Sequence, residues 1–178
     1  DLGGNIWRVD FQPATGNTPA FWQVNLFAAL GGASADTTKR KLFYSPDAVA
    51  GSAYTAVLIS TGDREHPLYA MKSTAIVNRF YMMKDMYPGL DASGMAPIVD
   101  DTSSTVDDQP AKLFNATSTP YDGSVSGFYV SLLGVDDKGV AHKGEKGVNA
   151  TTTIGGFAYF GTNTPAPELS NTCNANLG

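Results

Sequence analysis

The residues of this chain best suited to chemistry lie in one short run, Gly62-Asp63-Arg64-Glu65-His66. It groups two carboxylates and an imidazole, which could serve as a general acid and base, with a guanidinium. Adjacent loop side chains diverge, however, and no Ser or Cys is placed against His66 by a nucleophile-elbow or triad pattern. We therefore interpret the run as structural, with Asp63 capping a turn and Arg64 pairing with a carboxylate of a neighbouring unit. No catalytic residue is predicted.

A second group of candidates is acidic and consists of Asp100, Asp101, Asp107 and Asp108. Calcium prefers roughly six to eight oxygen ligands of this kind. The spacing departs from the alternating Asp/Asn pattern of calcium loops and lacks their central glycine. These four residues are weak metal candidates, and a solvated acidic loop is the favoured interpretation.

A third group is aromatic and could form a stacking platform for a sugar or a quinone. Its members are Trp7, Trp22, Phe80, Tyr81, Phe128, Tyr129, Phe157 and Tyr159. Aromatic residues at alternating strand positions more often pack between sheets than bind a ligand. We therefore predict that they belong to the core.

The elements that position these groups are predicted to be β-strands. The run from Thr55 to Thr61 is almost continuously apolar and β-branched, which is typical of a strand covered on both faces. It ends at Gly62, and a second strand is predicted over residues 78–84. Frequent turns are expected from the 19 Gly and 10 Pro.

The N-terminal residues predict a turn followed by a strand. Gly4 and Asn5 belong to a Gly-Gly-Asn turn, after which Trp7 and Arg8 face opposite ways. We interpret this strand as the second half of a hairpin.

Further strands are predicted along the rest of the chain. Residues 21–27 form the next one, with a helix over 24–30 as the alternative because of its apolar spacing. Residues 86–126 are rich in Pro, Gly, Asp, Ser and Thr and indicate a loop-rich insertion. Strands return over 127–133, 144–154 and 157–162, where Gly155-Gly156 predicts a tight hairpin.

Composition limits the class of protein. The 178 residues, 42% of them hydrophobic, suffice for the core of one domain. A net charge of −5 argues against nucleic-acid binding, and no run approaches the ~20 apolar residues of a membrane span. The start at Asp1 without a signal peptide suggests a piece of a longer protein. The one cysteine, Cys173, is either a free thiol or has its partner outside this sequence.

A loose repeat indicates the architecture. The same pattern occurs at residues 57–62 and again at 158–162: an apolar strand that ends in a small residue and in Thr-Gly or Gly-Thr. Repeated units of short antiparallel strands predict propeller blades, of which this chain has room for roughly two or three. The fold class is therefore all-β, a partial, quinoprotein-like β-propeller. Residues 1–178 are assigned to a single domain with an insertion at about 86–126.

Four motifs occur in order along the chain: DLGGNIWRVD at residues 1–10, STGDREHPL at 60–68, NRFYMMKD at 78–85 and GTNTPAP at 161–167. In this order they resemble the C-terminal β-propeller of the PilY/PilC family of type IV pilus proteins. Eight residues of these motifs are predicted to have structural roles: Gly4, Asn5, Trp7, Gly62, Asp63, Arg64, Phe80 and Tyr81.

The resemblance implies a non-enzymatic factor that promotes pilus assembly, opposes retraction and mediates adhesion. Its implied partners are pilin or minor pilin subunits and a host-cell or abiotic surface. Its implied location is the periplasm or the outer surface of a Gram-negative cell, at the pilus tip. The alternative is a periplasmic quinoprotein-like oxidoreductase, which would need Asp, Asn, Arg and Glu side chains converging on the ring axis around a quinone and a metal.

The resemblance also implies calcium in the full-length protein. In similar proteins the calcium loop lies just upstream of the motif that starts at Asp1, so none of its ligands is assigned to a residue of this chain. The family's C-terminal cysteine region resembles the stretch around Cys173 and implies a partner for that thiol outside residues 1–178.

Overall fold

A computed structural model describes residues 2–12, 15–17, 20–31, 39–65, 76–86, 96–99, 113–135 and 139–165. These residues contain β-strands and no helix. The strands are β1 Asn5–Gln12, β2 Phe21–Ala29, β3 Asp47–Ala50, β4 Thr55–Ser60, β5 Arg79–Asp85, β6 Ile98–Val99, β7 Phe114–Asn115, β8 Gly127–Ser131, β9 Gly134–Val135, β10 Ala141–His142, β11 Lys146–Gly147, β12 Thr152–Ile154, β13 Phe157–Tyr159 and β14 Thr162–Asn163.

The first sheet has the order β1-β2-β6. Its β1 and β2 pair antiparallel from Asn5 opposite Ala29 to Gln12 opposite Phe21, so β1 is the first strand of a hairpin with β2. That β1 also follows an upstream strand as the second half of another hairpin stays a prediction. The helical alternative for residues 24–30 is wrong because β2 continues to Ala29. A register shift beside Ile6 leaves both Phe27 and Ala28 buried, and two adjacent buried residues mimic helical spacing.

The central sheet has the order β3-β4-β5-β8-β7. Strands β4 and β5 pair antiparallel from Thr55 opposite Asp85 to Ser60 opposite Phe80, which confirms the two strands predicted from the sequence. Strand β8 pairs antiparallel with β5, and β7 adds a parallel edge. Strand β3 begins directly after Pro46, at the opposite edge.

Both faces of the central sheet are covered, as predicted for β4. On one face, Ile59 and Tyr81 belong to a cluster shared with the first sheet. We call this cluster the first core, and its buried members are Phe27, Ala28, Leu30, Leu42, Ile59, Tyr81, Met83, Ile98, Leu113 and Tyr129. On the other face, the second core consists of the buried Leu58, Phe80 and Leu132, with Ala56, Met82, Phe128, Ala158 and Phe160 packed against it.

A third unit lies against the second core. It contains the pairs β9–β10, β11–β14 and β12–β13. Phe160, just after β13, stacks on Phe80 with 4.3 Å between ring centroids and parallel planes. The predicted tight hairpin is confirmed, since Gly155 and Gly156 connect β12 to β13 with φ of +60° and +85°.

The predicted insertion supplies one short strand to each large sheet. Strand β6 pairs in parallel with the end of β2, and β7 pairs in parallel with β8. The assignment of residues 1–178 to one domain with an insertion at 86–126 stays a prediction.

Replacement of Met83 by Ala tests the first core. Met83 is fully buried there. We expect Met83→Ala to lower the free energy of unfolding by about 2–5 kcal/mol, because a buried side chain is lost and a cavity remains. Met86→Ala is the matched control, since Met86 is 49% exposed, and it should change stability by less than about 0.5 kcal/mol. Urea unfolding measures both, and equal losses would contradict this description of the core.

Candidate interaction surface

The N-terminal motif shapes the start of the first sheet. Gly4 has φ of +80°, and a Cβ atom there would lie 2.4 Å from the backbone of Gly31. Its carbonyl accepts a hydrogen bond from the Leu30 amide at 2.8 Å, and Asn5 pairs with Ala29. Only glycine permits this close approach of two backbone segments.

A charged network joins the first sheet to the central sheet. The Arg8 guanidinium contacts Asp10 Oδ1 through Nε at 2.7 Å and through Nη2 at 2.6 Å. Its Nη1 contacts Asp85 Oδ1 at 2.8 Å, at the end of β5. The three side chains are only 9–13% exposed. Such a charge-assisted network fixes the orientation of the two sheets.

A buried polar junction joins the central sheet to the third unit. Thr61 Oγ1 donates to Asn78 Oδ1 at 3.2 Å and accepts from the Arg79 amide at 2.9 Å. Asn78 Nδ2 donates to the Glu145 carbonyl at 2.8 Å, and the Gly147 amide donates to the Thr61 carbonyl at 3.0 Å. These bonds link the end of β4, the start of β5 and β11.

The sequence run considered for catalysis lies beside this junction. A Cβ atom at Gly62 would lie 2.6 Å from the Gly147 carbonyl oxygen. Asp63 Oδ1 accepts from the Glu65 amide at 3.1 Å and so caps the turn, while its Oδ2 receives Lys41 Nζ at 2.7 Å. Arg64 is exposed, and the ion pair described at this turn joins Asp63 to Lys41. His66 lies outside the described residues.

Lys146 is the buried basic group near Asp63. It is 2% exposed. Burial lowers the pKa of the Lys146 ammonium from its usual 10.5, and the negative charge of Asp63 opposes that change.

The outward side of the first sheet is apolar and exposed. We define the outer aromatic face as Trp7, Val9, Phe11, Trp22 and Val24, which are 41–74% exposed. Trp7 lies opposite Leu26, and Phe11 lies opposite Trp22 in a T-shaped contact with 5.0 Å between centroids. The prediction that Trp7 and Trp22 are core is wrong for this chain, because alternation fixes which residues share a face but not which face is covered.

The third unit also has an exposed apolar side. Ile154, Phe157 and Tyr159 of the β12–β13 hairpin are 58–68% exposed. The core prediction is therefore wrong for Phe157 and Tyr159. It is confirmed for the buried Phe80, Tyr81 and Tyr129 of the central sheet, and Phe128 packs against the second core.

The weak metal candidates Asp100, Asp101, Asp107 and Asp108 lie outside the described residues. Within the described part of the chain, no group of three or more His, Cys, Asp or Glu is arranged to hold a metal ion. The same ranges contain no helix long and apolar enough to cross a membrane.

Comparison with known proteins identifies the fold. No protein-family model matches the chain, and no curated protein matches it significantly. The chain is similar to the crystal structure of the Pseudomonas aeruginosa PilY1 C-terminal domain, with a TM-score of 0.60 and 18% sequence identity. The match covers 92% of this chain and 40% of that chain.

The likeness confirms the all-β, propeller-type fold and, at the level of the fold, the resemblance suggested by the four motifs. The first sheet, the central sheet and the β12–β13 hairpin are stacked in the way that neighbouring blades pack. This chain spans 40% of the length of the PilY1 structure, so it corresponds to part of such a domain.

The charged network predicts a large effect of losing Arg8. We expect Arg8→Met to lower the free energy of unfolding by about 2–4 kcal/mol, because Asp10 and Asp85 would remain buried without their cation. Arg64→Met is the control, since Arg64 is exposed, and it should cost less than about 0.5 kcal/mol. Asp85→Asn should cost less in the Arg8→Met background than in the wild type, as measured by urea unfolding. Additive effects would show that the two side chains do not interact.

Lys146 predicts a pH-dependent stability. Below its lowered pKa the lysine is charged in both the folded and the unfolded state, and burial of that charge lowers stability. As the pH rises through the lowered pKa, the folded chain loses the proton first, so the wild type should gain stability relative to Lys146→Met until the pH reaches 10.5. Urea unfolding of both proteins across this range measures the difference, with Lys143→Met as a control for an exposed charge. A constant difference would contradict the prediction.

Proposed function

We propose that this chain is part of a non-enzymatic assembly and adhesion factor of the type IV pilus. The observation that carries the proposal is the fold likeness to the PilY1 C-terminal domain over 92% of the chain. The four motifs, which occur in the order known from the PilY/PilC family, support it independently. The factor acts in the periplasm or on the outer cell surface at the pilus tip, where it promotes extension and opposes retraction.

The architecture suits a role in binding rather than in covalent chemistry. Polar links at Arg8, Thr61 and Asn78 hold the stacked sheets in fixed orientations. A rigid stack of this kind can present loops and sheet edges to pilin or minor pilin subunits and to a host-cell or abiotic surface. Most of its affinity would come from surface complementarity, with no reacting group required.

In this proposal calcium binds only in the part of the parent protein outside residues 1–178. The residues that the structure describes hold no cluster of three carboxylate, His or Cys ligands. In the family that this chain resembles, the calcium loop lies upstream of the motif that starts at Asp1 in this chain. We therefore assign no ligand and no step of the function to a metal within the described ranges.

The quinoprotein-like alternative receives no specific support from the described side chains. It requires charged groups that converge on a quinone. The ion pairs described here are between protein groups: Arg8 with Asp85 joins the first and central sheets, and Lys41 with Asp63 links two segments beside β4.

Deletion of the gene for the parent protein tests the proposed function. We expect the number of surface pili to fall, and to recover when the retraction motor is deleted as well, because the factor opposes retraction. Complementation with wild type and with Met86→Ala should restore pili, whereas Met83→Ala should restore fewer because the fold is weakened. Unchanged pilus numbers in both deletion strains would overturn the proposal.

A further inference from the structure

Four segments of the chain meet at one end of the central sheet. The Gly62 amide donates to the Lys41 carbonyl at 3.0 Å. Thr61 Oγ1 donates to Asn78 Oδ1 at 3.2 Å, and Asn78 Nδ2 donates to the Glu145 carbonyl at 2.8 Å. The segments that these bonds bring together are residues 39–42, 61–65, 76–79 and 143–147.

The charge of these segments is opposite in sign to that of the whole chain. They hold seven of its 12 Lys and Arg residues but only three of its 17 Asp and Glu residues, so their formal charge is +4. The remaining residues have five basic and 14 acidic side chains and a formal charge of −9. A concentration of one sign of charge attracts ligands of the other sign. We call the four segments the basic end.

Two cations of the basic end are exposed to solvent. They are Arg64 and Lys143. The Asp63 carboxylate is engaged inside the basic end, since its Oδ2 lies 2.7 Å from Lys41 Nζ and its charge also acts on the buried Lys146. Arg64 and Lys143 are therefore the groups that a partner in solution would meet first.

The position of the basic end keeps it outside the contacts between stacked sheets. Its segments follow β4, precede β5 and include β11, so they lie at strand ends. The two cores lie on the faces of the central sheet. Sheets that pack face to face leave their strand ends and connecting loops at the surface. A further layer of sheet would therefore leave the basic end accessible.

The chemistry of the basic end favours carboxylates as ligands. The Arg64 guanidinium can donate two parallel hydrogen bonds to one carboxylate, and the Lys143 ammonium adds a point charge. A nucleic acid or an anionic membrane extends over a wide surface, where the acidic remainder of the chain would repel it. A short acidic segment of a protein can instead match the small positive region.

We propose that the basic end binds an acidic segment of a partner protein, whose carboxylates contact Arg64 and Lys143. The inference goes beyond the proposed function and does not depend on it, because it rests on the position and the charge of these four segments. Contacts of this kind speed association and fix the register of the partner, and salt screens them.

Binding of a dye-labelled hexaglutamate peptide to the parent protein tests the proposal by fluorescence anisotropy. We expect binding at about 20 mM salt and a clear loss of affinity at about 500 mM. Arg64→Gln and Lys143→Gln should each raise the Kd roughly two- to fivefold. Lys84→Gln is the matched control, because it removes one positive charge near the far end of β5, and it should leave the Kd unchanged.

A substitution of the opposite sign gives a second readout. Glu65 is exposed beside Arg64, so Glu65→Gln should lower the Kd of the peptide by a similar factor. Asp122→Asn is its control, since Asp122 is an exposed carboxylate outside the basic end. Urea unfolding verifies that each variant is folded.

The remaining outcomes would overturn the proposal. They are no binding of the peptide at low salt, and binding that Arg64→Gln and Lys143→Gln leave unchanged, which would also result if other residues of the chain cover these side chains. Binding of heparin or of phosphatidylglycerol vesicles without binding of hexaglutamate would show that the partner is a polysaccharide or a membrane. Loss of surface pili in the deletion strain bears only on the proposed function, so the two can fail separately.

Discussion

The central sheet is apolar on both faces, and the rest of the structure follows from that constraint. Adjacent residues of β4, such as Leu58 and Ile59, both need to leave water, and they point in opposite directions. One covering layer would leave half of this strand exposed. The first sheet and the third unit supply the two layers, and the two cores lie between them.

Apolar burial alone does not orient these layers, because hydrophobic contact has no preferred direction. Within the described residues, directional polar contacts orient the layers. Arg8 fixes the first sheet against Asp85, and the side chain of Asn78 fixes the third unit against the Glu145 carbonyl. Each of these contacts joins residues more than 60 positions apart, with separations of 77 and 67.

Structural features that depend on neighbouring residues were predicted from the sequence. Features that depend on contacts between distant residues were not. The strands β4 and β5 and the Gly155-Gly156 turn were all predicted from local sequence patterns. The contact of Arg8 with Asp85 was not, because no local signal links positions so far apart. The burial of Trp7 was misjudged because period-2 alternation assigns a residue to a side of the sheet and leaves open which side is covered.

The short strands β6 and β7 have a consequence for the order of folding. One segment of the chain, residues 86–126, provides β6 to the first sheet and β7 to the central sheet, both in parallel pairings. The hairpins β1–β2 and β4–β5 can form from nearby residues, but neither sheet is complete until this later segment has closed two long loops. High contact order of this kind slows folding, and it makes the two sheets reach their final form together.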